Sequence, residues 1–84
     1  MYRIVTTKSF DKTLARLPAS WQKWIVAKIG DVAANPYASN HNLTKLRDRD
    51  GYRLRVGDWR IIYELHDDSL VMLVLELGTR GGIY

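Results

Sequence analysis

The sequence predicts an α+β fold in the order β-α-α-β-β-β, with two N-terminal helices packed on one face of a mostly antiparallel four-stranded sheet. Apolar residues in the first half recur at the helical spacing. The second half alternates apolar and polar residues with the period of two that strands show, and a two-residue turn divides it. A chain of 84 residues has room for one domain, which we expect to span residues 1–84.

The N-terminal half predicts one strand and two helices. Tyr2–Thr6 is rich in β-forming residues and predicts the first strand. Ser9 is the expected cap of a helix over Phe10–Leu17, which Pro18 ends. A second helix is expected over Ser20–Ala34. Its predicted apolar face consists of Trp21, Trp24, Ile25, Ile29, Val32 and Ala33.

The C-terminal half predicts a connection followed by three strands. Pro36–Asp50 is polar, has no clear period and is expected to be irregular. Tyr52–Val56 and Trp59–Leu65 form a hairpin whose loop, Gly57-Asp58, has the glycine that a type II′ turn needs at its first position. Leu70–Leu77 is almost wholly apolar, which indicates a central strand buried on both faces.

Composition favours a soluble cytoplasmic protein without a membrane segment. There is no cysteine, no apolar run long enough to span a bilayer, and a polar N-terminus unlike a signal peptide. The net charge is +4 and the pI about 9.6, which is compatible with nucleic acid or an acidic partner, or with ordinary solubility. Six of the thirteen basic residues lie between Lys45 and Arg60, so their distribution is more informative than the total.

A two-residue turn fixes the register of the hairpin. The predicted opposed pairs are Val56 with Trp59, Arg55 with Arg60, Leu54 with Ile61, Arg53 with Ile62, and Tyr52 with Tyr63. One face is therefore aromatic and aliphatic and belongs to the core. The other face has three arginines together with Ile62 and Glu64.

Arg55 directly opposite Arg60 is the most informative of these pairs. Like charges at opposed positions destabilise a sheet, whereas a good pair contributes about 0.2–1 kcal/mol. The arginines could pair with Glu64, Glu76 or an aspartate, or extend into solvent. Alternatively they bind a polyanion, because guanidinium groups match phosphate oxygens.

The segment from Tyr52 to Tyr63 resembles the hairpin of the RelE/ParE superfamily of type II toxin–antitoxin toxins. The resemblance continues upstream through Lys45-Leu46-Arg47 and downstream from Leu75 to Tyr84, so it covers essentially the whole chain. It implies a RelE-like fold. It also implies a ribosome-dependent mRNA endoribonuclease that acts in the A site of the 30S subunit. The expected partner is a RelB-like antitoxin that would also bind DNA to regulate its own operon.

The resemblance also implies roles for individual residues. The family's catalytic arginine falls on Arg60, the arginine after the last strand on Arg80 and the C-terminal tyrosine on Tyr84. Arg55 would assist Arg60 at the scissile phosphate. Arg80 would stabilise or protonate the leaving oxygen, and Tyr84 would stack on a base or orient the 2′-OH. Flanking phosphates would be held by Lys45, Arg47 and Arg53.

The expected cleavage needs no metal and no other cofactor, because the 2′-OH of RNA can attack the neighbouring phosphorus and leave a cyclic phosphate. The general base is open: the best-known member of the family has lysines where this chain has Arg53 and Arg55, and arginine retains its proton. Tyr84, Glu64, His41 or an element of the ribosome could serve. Two other functions remain open, a ParE-like inhibitor of DNA gyrase and a non-catalytic antitoxin-binding module.

Overall fold

A computed structural model describes residues 1–38 and 41–79 of the chain. These residues form two helices and five strands in the order β-α-α-β-β-β-β. The elements are β1 (Arg3–Thr6), α1 (Lys8–Ala15), α2 (Ala19–Ala34), β2 (Leu43–Lys45), β3 (Tyr52–Val56), β4 (Trp59–His66) and β5 (Val71–Thr79). Neither helix is long and apolar enough to cross a membrane.

The strands form one mixed sheet in the order β1-β5-β4-β3-β2. β1 pairs with β5 in parallel, and the other three pairs are antiparallel. The predicted fold class is confirmed, but the expected strand count of four is wrong. The additional strand is β2, in which Leu43 is opposite Leu54 and Lys45 is opposite Tyr52. Three residues are too few to show a period, so only their pairing with β3 reveals the strand.

The first helix begins earlier than the sequence predicts. Thr7, rather than Ser9, caps α1: its Oγ1 accepts a hydrogen bond from the backbone N–H of Phe10 at 3.2 Å and donates one to the carbonyl of Leu75 at 2.5 Å. The second bond ties the cap to β5. Because Leu75 is 68 residues away, this bond forms only in the folded chain. Local spacing alone therefore predicted Ser9 as the cap.

The helices pack on one face of the sheet, as predicted. Phe10 of α1 and four residues of α2 are buried against side chains of β3, β4 and β5. The four residues of α2 are Ile25, Ile29, Val32 and Ala33. Trp24 was expected on this apolar face, but its side chain is 45% exposed and instead stacks on Trp21, with ring centroids 5.0 Å apart.

β5 lies between β1 and β4, so its predicted interior position is confirmed. Complete burial on both faces is not. Met72, Val74 and Leu77 are buried, whereas the residues between them are only half-buried. The reason is that both helices cover the same face of the sheet, so side chains of β5 on the opposite face stay partly exposed.

Candidate functional site

The β3–β4 hairpin has the register that the two-residue turn predicts. All five predicted pairs are observed, including Arg55 opposite Arg60 and Arg53 opposite Ile62. Gly57 has a φ of +60°, and Asp58 is outside the positive-φ region, as a type II′ turn requires. A Cβ on Gly57 would lie 2.7 Å from the ring of Trp21, so the turn also needs a residue without a side chain.

Arg55 and Arg60 lie on the face of the sheet opposite the helices. Within residues 1–38 and 41–79, neither guanidinium has a carboxylate at ion-pair distance. Their recorded hydrogen bonds are long and go to the turn itself: Arg55 Nε donates to the carbonyl of Gly57 at 3.4 Å, and Arg60 Nη1 donates to that of Trp59 at 3.5 Å. Gly78 is opposite Arg60 on β5 and has no side chain to cover it. Most guanidinium donors of this pair are thus available to a ligand.

The carboxylates that could have neutralised the arginines are placed differently. Glu64 accepts a hydrogen bond from His66 at 3.1 Å, near the far end of β4. Glu76 is opposite Ile62, one row along the sheet from the arginine pair. Ile62 is only 1% exposed although it is not part of the main core. It lies on the same face of the sheet as the arginines, so the surface beside them has a buried apolar side chain.

The predicted RNA-binding residues line a cleft of about 500 Å³ between β2, β3 and the loop that joins these two strands. Its charged lining is Lys45, Arg47, Asp48, Arg49 and Arg53. Arg53 makes an additional polar or charged contact, so it is already partly engaged. Arg49 was not among the predicted site residues. The spacing of two between the basic residues at positions 45, 47 and 49 is the signal that could have identified it.

A second cleft, of about 480 Å³, lies between the C-terminal half of α2 and the edge of the sheet. His41 and Arg55 both line it, together with Lys28 and Asp31 of α2. His41 is half-buried, and its Nε2 lies 2.7 Å from the carbonyl oxygen of Asn35. The other histidine, His66, is exposed.

Asp67 holds the first part of the connection between α2 and β2. Its two carboxylate oxygens accept hydrogen bonds from the hydroxyls of Tyr2 and Tyr37, each at 2.6 Å. These bonds hold the pKa of Asp67 below its usual value and raise the pKa of both tyrosines. No local pattern in the sequence indicates this cluster, because Asp67 is far along the chain from Tyr2 and Tyr37.

Two predicted site residues, Arg80 and Tyr84, lie outside the described residues. In the described part of the chain, no group of three or more histidine, aspartate or glutamate side chains could hold a metal ion. The face of the sheet opposite the helices therefore presents the opposed pair of Arg55, which is exposed, and Arg60, which is half-buried, with a basic cleft beside it. Such a surface suits a phosphate chain.

The comparisons with known proteins point to one family. Residues 4–84 match the sequence model described as the ParE toxin of the type II toxin–antitoxin system parDE. No curated protein matches the sequence. The fold matches the archaeal RelE–RelB complex from Pyrococcus horikoshii with a TM-score of 0.82 and 28% identity, covering 95% of this chain and 96% of that one.

Two further solved structures match over almost the whole chain. The RelB–RelE antitoxin–toxin complex from Methanococcus jannaschii has a TM-score of 0.76 and 26% identity, with coverage of 95% of this chain and 94% of that one. The intact RelBE toxin–antitoxin complex from E. coli has a TM-score of 0.80 and 19% identity, covering 95% of this chain and 98% of that one. At 19% identity, the last match is evidence for the fold alone.

Proposed function

The chain belongs to the ParE toxin family of the RelE/ParE superfamily, and from that premise we propose that this type II toxin is a ribosome-dependent endoribonuclease that cleaves mRNA. The observation that carries the proposal is the opposed Arg55–Arg60 pair, which has no carboxylate partner among the described residues. A sheet that keeps two like charges opposed loses stability. A bound phosphate would remove that repulsion.

The proposed chemistry begins with attack of the 2′-OH on the adjacent phosphorus. Arg60, assisted by Arg55, binds the non-bridging oxygens and stabilises the negative charge that grows on them. In our proposal Arg80 stabilises the leaving 5′-oxygen, and Tyr84 stacks on a base or orients the 2′-OH. The products are a cyclic phosphate and a free 5′-hydroxyl, and no step requires a metal or another cofactor.

The basic cleft would hold the mRNA on either side of the cut. Lys45, Arg47 and Arg53, joined by Arg49, line one continuous cleft next to the arginine pair. Arginine and lysine contacts to phosphate position a strand without reading its bases, so codon choice would come from the ribosome and the stacked base. A cleft that does not read bases suits an mRNA that is already held in place in the A site of the 30S subunit.

The proposed partner in the cell is a RelB-like antitoxin. Two of the similar structures with identities of 28% and 26% are RelE–RelB complexes. An antitoxin with an acidic or amphipathic segment would match the +4 charge of the toxin. We propose that this antitoxin also binds operator DNA. We further propose that the toxin acts in the cytoplasm as a single domain formed by residues 1–84.

Arg60→Ala tests the function directly. In a translating extract, we expect the rate of mRNA cleavage to fall by about 10²–10³-fold, because one donor to the developing charge is lost. Arg16→Ala, which removes an exposed arginine at the end of α1, is the charge-matched control and should cleave normally. Mapping the 5′ ends of the mRNA gives the readout. Equal cleavage by the two variants would contradict the assignment.

The second candidate function is inhibition of DNA gyrase, which the match to the ParE toxin model favours. Arg60, Arg80 and Tyr84 together favour the ribonuclease, because ParE-like gyrase inhibitors generally lack that set. Expression of the toxin without antitoxin separates the candidates: DNA breaks that depend on gyrase support the inhibitor, and cut mRNA supports the ribonuclease. Harmless expression would instead indicate a non-catalytic binding module.

A further inference from the structure

The proposed cleavage needs a base that removes the proton of the 2′-OH, and the arginines cannot provide it. Arginine retains its proton at any pH at which the protein is folded. A general base must come within hydrogen-bond reach of that proton, which belongs to the ribose next to the phosphate that Arg55 and Arg60 hold. The base must therefore lie on the same face of the sheet as this pair, and close to it.

Glu76 of β5 meets both conditions. Arg60 is opposite Gly78, and Ile62 is opposite Glu76. Because side chains two residues apart on a strand point to the same face, Glu76 projects from the face that presents Arg60. The two residues are diagonal neighbours on adjacent strands, a separation of about 7–8 Å that long side chains can span. The irregularity in this strand pair begins only after Ile62, so it does not disturb these two rows.

The space between Glu76 and the arginine pair is open to a ligand. On this face β5 has no side chain opposite Arg60, because the residue there is Gly78. In the described part of the chain, the half-buried Glu76 accepts no hydrogen bond and forms no ion pair through its carboxylate. A phosphodiester placed over Gly78 would therefore contact the guanidinium of Arg60 on one side and a carboxylate with free lone pairs on the other.

The other candidate bases among the described residues are poorly placed. Glu64 is on the same face but four residues along β4 from Arg60, which corresponds to about 13 Å at the rise of a β-strand. Its carboxylate already accepts a hydrogen bond from His66, which is farther still along the strand. His41 lies on the helix side of the sheet, bonded to the carbonyl of Asn35 at the end of α2.

The charges of this arrangement favour proton transfer to Glu76. The guanidinium groups of Arg55 and Arg60 have one positive charge each, and the phosphodiester and the carboxylate have one negative charge each. When the carboxylate takes the proton it becomes neutral, and the phosphorane gains a second negative charge. Negative charge thus moves to the oxygens that the arginines contact, so their stabilisation is larger in the transition state than in the bound substrate.

We propose that Glu76 is the general base of this toxin, an inference that rests on the proposed ribonuclease function. A carboxylate oxygen of Glu76 takes the proton of the 2′-OH as the 2′-oxygen forms its bond to phosphorus. The bond from phosphorus to the 5′-oxygen breaks, and its electron pair leaves on that oxygen, which takes a proton from water. Glu76 then returns its proton to solvent, leaving the cyclic phosphate and a free 5′-hydroxyl.

The test uses the full chain and ribosomes programmed with mRNA, under single-turnover conditions. Glu76→Gln keeps the size of the side chain but has no group that can take the proton. We expect it to lower the cleavage rate constant by about 10²-fold or more, the contribution of a positioned base. Glu64→Gln makes the same change at the other half-buried glutamate of this face and is the matched control, which should cleave normally.

Binding separates proton transfer from a structural role. It is measured on ribosomes whose mRNA has a 2′-O-methyl group at the cleavage site, which blocks the attack. Glu76→Gln should bind them at least as tightly as the unaltered toxin, because it removes a negative charge beside the bound phosphate. A loss of binding as large as the loss of cleavage would mean that Glu76 only orients the arginines, and this result overturns the proposal.

A second variant, Glu76→Asp, keeps a carboxylate that is one methylene shorter. It should cleave faster than Glu76→Gln, because it retains a group that can take the proton. Thermal unfolding of each variant verifies that it is folded. Unaltered cleavage by Glu76→Gln, or equally slow cleavage by folded Glu76→Asp and Glu76→Gln, overturns the role of the carboxylate as the base.

The outcome for Arg60→Ala keeps the two proposals distinguishable. Normal cleavage by Glu76→Gln together with loss of cleavage by Arg60→Ala removes only the base and leaves the ribonuclease intact. If the unaltered toxin cuts no ribosome-bound mRNA, the ribonuclease function and the role of Glu76 fall together.

Discussion

The β3–β4 hairpin and the connection from α2 to β3 are neighbours in the sheet, because β2 of the connection pairs with β3, yet the chain specifies them in different ways. The hairpin is determined locally. Alternating side chains and Gly57 fix its register, and all five predicted pairs are observed. The connection has no such pattern. It is held by contacts with distant residues, among them the bond from Tyr37 to Asp67 thirty residues later.

This difference has a functional consequence. The hairpin places Arg55 and Arg60 opposite each other on a regular, hydrogen-bonded pair of strands, where we propose that they bind phosphate. The connection adds further basic side chains, which line the cleft between β2, β3 and the loop that joins them. A site assembled from a rigid scaffold and a connecting segment can vary its chemistry in the segment without altering the scaffold.

The largest expected effect is that of Gly57→Val in the hairpin turn. The new side chain would adopt an unfavourable φ of +60° and would overlap the ring of Trp21, since even a Cβ comes within 2.7 Å of it. We expect a loss of about 3 kcal/mol in the free energy of unfolding. Urea denaturation measures this loss.

Gly30→Ala is the matched control for that substitution. Gly30 lies inside α2, and a Cβ there would meet no atom within 4 Å apart from the neighbouring backbone of the helix itself. The variant should gain about 0.5–1 kcal/mol, because alanine is the better helix former. If both glycine substitutions destabilised the chain equally, the turn would not have the special role in register that the comparison assigns to it.

The features that could be predicted from the sequence are those determined locally, as in the hairpin, and the features that could not are those held by distant contacts, as in the connection. The register of the hairpin, the inward face of α2 apart from Trp24, and the opposed arginines follow from spacing alone. β2, the cap at Thr7 and the position of His41 do not, because each depends on a partner elsewhere in the chain. Thr7 bonds to Leu75, and β2 exists only beside β3. Local patterns contain no information about such partners.

The next effect concerns the inner face of the hairpin, where Tyr63 has a completely buried hydroxyl. Within the described residues this hydroxyl has no hydrogen-bond partner, and burial raises the pKa of Tyr63 above its ordinary value. Tyr63→Phe should therefore increase the free energy of unfolding by about 1 kcal/mol. Tyr52→Phe, on the half-buried ring stacked 5.5 Å away, is the control and should change stability little. A loss in Tyr63→Phe would indicate a partner for the hydroxyl.

A smaller gain is expected from relieving the arginine pair. Arg55→Thr removes a like charge opposite Arg60 and should stabilise the toxin by about 0.5 kcal/mol while it weakens mRNA cleavage. The gain should shrink as salt is added, because salt screens the repulsion. Arg3→Thr, on β1 opposite Val71, removes an arginine that has no like charge facing it and should show no salt-dependent gain. Equal behaviour of the two variants would mean that the opposed pair is not under strain.

The smallest effect belongs to the connection, at the exposed Asp67. Its pKa in the folded chain lies below 3.8, chiefly through the hydrogen bonds from Tyr2 and Tyr37. A lowered pKa means that the charged form stabilises the fold above the unfolded value and that this contribution is lost as the pH falls through the folded value. The stability difference between the unaltered toxin and Asp67→Asn should therefore be constant from neutral pH down to about 3.8 and decline below it.

Acid unfolding followed by circular dichroism measures that difference, and Asp68→Asn, one residue along the same turn, is the matched control. Tyr37→Phe should reproduce part of the loss, because it removes one of the two bonds that hold the carboxylate charged. If Asp67→Asn and Asp68→Asn behaved alike at every pH, the long-range bond would not hold the connection. The placement of His41 would then depend on its own bond to Asn35 and on the pairing of β2 with β3.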